Sequence, residues 1–190
     1  MRSKRAFLLL TVFVAGMTTL AVELSASRLL EPYFGASNVV WANLIGLILI
    51  YLTIGYYLGG RLADRYPRES VLYQITAWAA FAIGLVPFAA RPILVRITGD
   101  LATFDLAVLV GSFLGVVLLF AIPVTLLGCV SPFAVRLAVR DVASAGNVAG
   151  GIYALSTLGS IIGTFAPVLI LIPSIGTRNT FLFFSLLLLI

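Results

Sequence analysis

The chain has 190 residues, 62% of them hydrophobic and only 10% charged, with a mean hydropathy of +1.16 and a net charge of +5. Soluble domains carry roughly a quarter charged residues, so this composition excludes a soluble fold. The apolar runs are apolar on every face, which excludes the alternation of a membrane β-barrel. There is no histidine and Cys129 is the single cysteine, so neither a His/Cys zinc site nor an intrachain disulfide can form. Cys129 is expected to be a small packing residue, and neither a metal nor a cofactor is expected.

Several runs approach or exceed the roughly 18–20 apolar residues that cross a bilayer. The sequence therefore predicts an all-α membrane protein, residues 1–190 forming a single transmembrane domain of six helices. The first span covers about 6–30. Its basic start, Arg2, Lys4 and Arg5, resembles a signal peptide, but the run is long and has no small-x-small cleavage site. Glu31, Pro32 and Gly35 break that helix and Ser37 or Asn38 caps the next, over about 38–60, with Trp41 as an interface anchor. The third span covers about 70–90 and is expected to close at Pro87, Arg91 and Pro92, leaving 91–103 as a short interfacial helix or loop. The fourth covers about 104–127, bent near Pro123, with Pro132 interrupting the helix beyond it. The fifth covers about 145–171 and ends at Pro173 and Gly176. The sixth, 178–190, is incomplete, because Thr180–Ile190 makes only about 16 Å of helix. The chain is thus expected to be truncated at its C-terminus or to end in a half-built helix.

Arginine and lysine set the orientation. The N-terminus and the connections after the second and fourth spans carry eight of them, including Arg61, Arg65, Arg68, Arg136 and Arg140. The other side carries four, Arg28, Arg91, Arg96 and Arg178. The basic side is expected to be cytoplasmic, with both termini on it and the protein in the cell (inner) membrane. This placement accounts for the net charge, so no nucleic-acid partner is implied.

Four sets of residues are candidates for function. Glu23 lies within the first span, where a carboxylate at the helix centre costs on the order of 2.5–3.5 kcal/mol. It either binds a cation or pairs with Arg28 or Asn43. Asp64, among Gly60, Arg61, Arg65 and Arg68, either gates a conformational change by pairing with a neighbouring helix end or anchors the topology. Glycines recur four apart at Gly146 and Gly150, Gly159 and Gly163, Gly55 and Gly59, and Gly111 and Gly115. Such spacing suits close helix packing or a sliding interface. Tyr51, Tyr56, Tyr57, Gln74, Tyr153, Ser156 and Thr157 either line a polar cavity or make separate interhelical hydrogen bonds. No phosphate-binding loop or dinucleotide fingerprint is present, and enzyme activity is left uncertain.

The run Gly60-Arg61-Leu62-Ala63-Asp64-Arg65-Tyr66-Pro67-Arg68 resembles the loop between the second and third helices of the major facilitator superfamily, Gly-x-x-x-Asp-Arg/Lys-x-Gly-Arg/Lys. Pro67 stands where that family usually has glycine, and Glu69 where a second basic residue is common. Nearly the whole chain is similar to the membrane portion of fused facilitator/spermidine synthase-like proteins. The matching pieces are Glu23 with Arg28, Pro32, Gly35, Ser37 and Trp41, then Gly59-Gly60-Arg61, Ala63 and Asp64, then Gly151 through Gly163. The resemblance implies a bundle like one half of a facilitator fold, built as three plus three helices in inverted relation. In that family the membrane helices precede an aminopropyltransferase-like domain, none of which lies in this sequence, so no catalytic residue is implied. The expected function is a membrane module that anchors an enzyme or handles a small cationic ligand such as a polyamine, with Glu23, Arg28 and Asn43 at the ligand. The alternatives are a half-size facilitator-type transporter acting as a dimer and a structural subunit of a larger membrane complex, with a homo-oligomer or other membrane subunits as the expected partners.

Overall fold

The computed structural model describes residues 2–101 and 106–189. The expected start of the fourth span at 104 and the last residue of the sixth, 190, lie outside them. Helix α1 is Arg2–Phe34, α2 Asn38–Arg65, α3 Glu69–Leu101, α4 Ala107–Ala138 and α5 Ala145–Ala166; a π-helical turn, Pro167–Leu171, leads into α6, Ile172–Leu188. No strand occurs among the described residues. Five helical stretches are long and apolar enough to cross a membrane: Arg5–Phe34, Asn38–Arg65, Glu69–Gly99, Ala107–Ala138 and the continuous run Ala145–Leu188. The chain is an all-helical, multi-pass membrane protein.

The breaks follow local chemistry. Gly35 takes a positive φ of 74° after α1 and its N–H bonds to Glu31 O at 2.9 Å. Ser37 then caps α2, its hydroxyl accepting from Val40 N–H. At the far end the Tyr66 N–H closes on Leu62 O, and Pro67 cannot continue the helix.

Prolines within the apolar stretches do not end helices, contrary to expectation. Helix α3 runs through Pro87 and Pro92 to Leu101, and α4 runs through Pro123 and Pro132 to Ala138. Each proline forfeits one backbone hydrogen bond, whereas unwinding inside hydrocarbon would strand several. Pro167 is accommodated differently. The wide turn that it opens is closed by a bond from Ile172 N–H to Pro167 O, and helix continues past Pro173.

The break falls at Gly176, with φ 80° and ψ 162°, a conformation open only to glycine. Before it the chain climbs along α1: Val148 lies beside Leu8, Gly163 on Met17, and Val168 beside Leu24 and Arg28. After it the chain follows α3 in reverse. The Arg178 guanidinium lies 4.6 Å from the centre of the Phe88 ring, Ser185 Oγ donates to Ala80 O at 2.7 Å, and Leu188 lies beside Tyr73.

Helices α1 and α4 form the centre. Phe120 and Phe133 of α4 and Phe181 and Phe184 of α6 are fully buried, with Phe120 stacked on Phe181 at 6.3 Å. Two glycine seams bind the peripheral helices to this centre. On α2, a methyl group added at Gly59 would sit 2.5 Å from Cys129 Cα, and one at Gly55 2.8 Å from Gly128 Cα. On α5, one at Gly159 would sit 3.0 Å from Met17 N, and one at Gly163 would meet Met17 O. Ser160, between those glycines, donates its hydroxyl to Gly16 O at 3.0 Å.

Gly111 and Gly115 instead receive the side chains of Phe34 and Leu94. The expectation for Gly146 and Gly150 needs correcting, since a methyl group at either would meet nothing within 4 Å. Val148, midway between them, lies beside Leu8 of α1, so both glycines are on the opposite, exposed side of α5.

Candidate functional site

Glu23 is the carboxylate set deepest in a span. About 27 Å of helix separates it from Arg5, and about 7 Å separates it from Arg28. The side chain is half-buried and makes no hydrogen bond or ion pair with any described residue. Neither structural role expected for it is realised. Arg28, five residues on, projects about 140° round the helix from Glu23. Its Nη1 instead pairs with Glu31 Oε2 at 3.1 Å, one turn further along the same side. Asn43 faces α4, donating its amide to Leu109 O at 2.9 Å and to Ser112 Oγ at 2.8 Å. Glu23, Arg28 and Asn43 are therefore not brought together.

Further polar atoms are left unsatisfied elsewhere on α1 and α2. The hydroxyls of Thr18 and Ser25 on α1, and of Tyr51 on α2, are buried without a hydrogen-bond partner. Most serine and threonine hydroxyls in the spans bond back to a carbonyl three or four residues earlier, as Thr19 does to Ala15 O. A buried polar atom left unpaired costs about 1–3 kcal/mol. Thr18 and Ser25 project about 140° and 200° round α1 from Glu23, so the acid and these hydroxyls do not converge on one site. Among the described residues no cluster of three or more His, Cys, Asp or Glu exists to hold a metal.

Arg28 and Glu31 belong to a separate hollow of about 340 Å³ at the Gly35 end, walled by Ser27, Trp41, Leu44 and Val168. Its ion pair and indole wall make it amphipathic. In the sequence Glu31 reads as part of a helix break, although its spacing of three from Arg28 is the signal of the pair.

At the opposite, basic end, Asp64 Oδ1 accepts from Arg136 Nε at 2.8 Å, tying the end of α2 to the end of α4. Both side chains are exposed, 74% for Asp64 and 49% for Arg136, so the pair contributes less than about 1 kcal/mol and parts easily. Arg61 lies over the Tyr57 ring at 4.1 Å and Arg65 over Tyr66 at 5.5 Å. Gly60 and Arg68 add no contact of this kind; a methyl group at Gly60 would meet nothing within 4 Å. The polar residues expected round one cavity are dispersed. Gln74 borders an apolar groove with Trp78 and Phe81, Thr157 bonds to Tyr153 O, and Ser156 packs on Gly16.

Compared with protein-family models, with curated proteins and with solved structures, the chain matches none.

Proposed function

We propose that this chain is a six-crossing membrane unit of facilitator type that handles a small cation, with Glu23 as its ligand. The observation that carries this reading is a carboxylate held within a span without a cation or donor of the protein's own. Intramembrane acids face a partner or a transported species. The resemblance to the membrane portion of spermidine synthase-like fusion proteins favours a polyamine-class amine.

Three observations support the six-crossing, half-facilitator reading. The chain doubles back at Gly176, which divides the run Ala145–Leu188 into two arms. Gly55 and Gly59 seat α2 on α4, as Gly159 and Gly163 seat α5 on α1. In both helices a further glycine, Gly46 or Gly150, precedes that pair by nine residues. Such a correspondence suits two three-helix units in inverted relation. The excess of arginine at the Asp64 end favours a cytoplasmic placement of that face in the cell membrane.

The test is binding and uptake of radiolabelled spermidine in proteoliposomes by the wild type and by Glu23→Gln. Loss in the variant at unchanged protein incorporation supports the reading; unchanged uptake removes Glu23 as the ligand. A second reading, a unit that pairs with another copy or with a different membrane subunit, is favoured by the exposed tyrosines Tyr56, Tyr57 and Tyr153 on α2 and α5. Exposed tyrosines of this kind are enriched at interfaces between subunits. Mass measurement in mild detergent distinguishes a homo-oligomer from a mixed complex.

A further inference from the structure

At the basic face a cavity of about 430 Å³ opens between four helix ends, lined by Arg5 of α1, Glu69 of α3, Leu137 of α4, Arg140 and Asp141 of the connection, and Val148 of α5. We propose that it binds the phosphodiester head group of an anionic membrane phospholipid. This does not depend on the cation reading of Glu23.

The charges decide the sign of the ligand. Arg5 and Arg140 make no hydrogen bond or ion pair with any described residue. The two acids are engaged: Asp141 Oδ1 accepts from Ser144 N–H at 2.8 Å, and Glu69 has a partner of its own. Two guanidinium groups without a partner among the described residues therefore face one hollow, beside two carboxylates that each have a partner. Guanidinium presents paired N–H donors that fit two oxygens of a phosphate.

The walls decide the source of the phosphate. Leu8, Leu137 and Val148 form an apolar side continuous with the core, since Leu8 is itself a core residue and both others pack against it. That surface suits glycerol and the first acyl carbons of a lipid and has nothing to offer inorganic phosphate. Basic pockets between membrane helices recognise anionic head groups in this way.

The experiment uses the full chain in mild detergent and counts lipid retained by native mass spectrometry. Phosphatidylglycerol and phosphatidylcholine of equal chain length are supplied in turn, with and without millimolar inorganic phosphate. One bound phosphatidylglycerol is expected on the wild type, and phosphatidylcholine is not retained. Arg5→Gln and Arg140→Gln each reduce retention about fivefold, while Arg61→Gln, whose arginine stacks on Tyr57 outside the cavity, leaves it unchanged. Equal retention of both lipids, no loss in either cavity variant, or the same loss in Arg61→Gln overturns the proposal. Displacement of the lipid by inorganic phosphate assigns the cavity to the free anion and overturns it as well. Size-exclusion profiles that match the wild type confirm that the exposed-arginine variants are folded.

Discussion

Gly59→Ala tests the seam that joins α2 to the centre. The added methyl group would lie 2.5 Å from Cys129 Cα, 2.6 Å from Cys129 O and 3.0 Å from Cys129 C. Carbon atoms rest about 3.5–4.0 Å apart, and all three obstacles are backbone, which no rotamer change can move aside. The helices must separate by about 1 Å or more, loosening the neighbouring contact of Gly55 with Gly128. Overpacking of this kind costs about 1–3 kcal/mol, and the shared seam places Gly59→Ala in the upper half of that range. For a chain of this size that is a fall in Tm of about 4–12 °C. The control is Gly60→Ala, one residue on, where nothing lies within 4 Å; its change stays within about 0.5 kcal/mol. Unfolding can be followed with a thiol-reactive fluorophore, since the one cysteine, Cys129, is buried. Because Gly59 touches Cys129, the loss of monodisperse protein on heating serves as a second probe. Equal midpoints for the two variants by both probes would refute the close crossing.

Gly84→Ala would bring a methyl group 2.8 Å from Ser185 Oγ but 3.6 Å from Ser185 Cβ; it should destabilise alone and be partly rescued by Ser185→Ala, a non-additivity that a double-mutant cycle in thermal midpoints detects. Asn43→Ala removes both bonds to α4 and should cost about 1 kcal/mol, near the range found for interhelical hydrogen bonds in membranes; no change in midpoint would contradict the contact with Leu109 and Ser112. A cycle on Asp64→Asn and Arg136→Gln should give a coupling below about 1 kcal/mol that fades at high salt. A larger, salt-insensitive coupling would mean that the pair is shielded from water.

The membrane class was legible because composition alone forbids a soluble fold. Helix ends were less so. Pro87, Pro92 and Pro132 read as terminators, but each proline forfeits only one backbone hydrogen bond, and α3 and α4 continue through them. Glycine spacing identified Gly55, Gly59, Gly159 and Gly163, which lie at the crossings. It gave equal weight to Gly146 and Gly150, because spacing describes a face and not what covers it. For Glu23 the partners were chosen by closeness in sequence and by depth, whereas helical phase turns Arg28 toward Glu31. The Asp64–Arg136 pair and the bond from Ser160 to Gly16 span 72 and 144 residues, and no local pattern announces either.

The basic helix ends share one face, and the chain turns back at Gly176. Single cysteines are introduced in a Cys129→Ala background at Val142→Cys, in the exposed α4–α5 connection, at Ile175→Cys, beside the break, and at Leu189→Cys. Labelling with a membrane-impermeant maleimide, on intact and on opened vesicles of known orientation, should place positions 142 and 189 on one side and 175 on the other. Positions 175 and 189 reacting from the same side would contradict the turn, and with it the six-crossing bundle in which Glu23 has been placed.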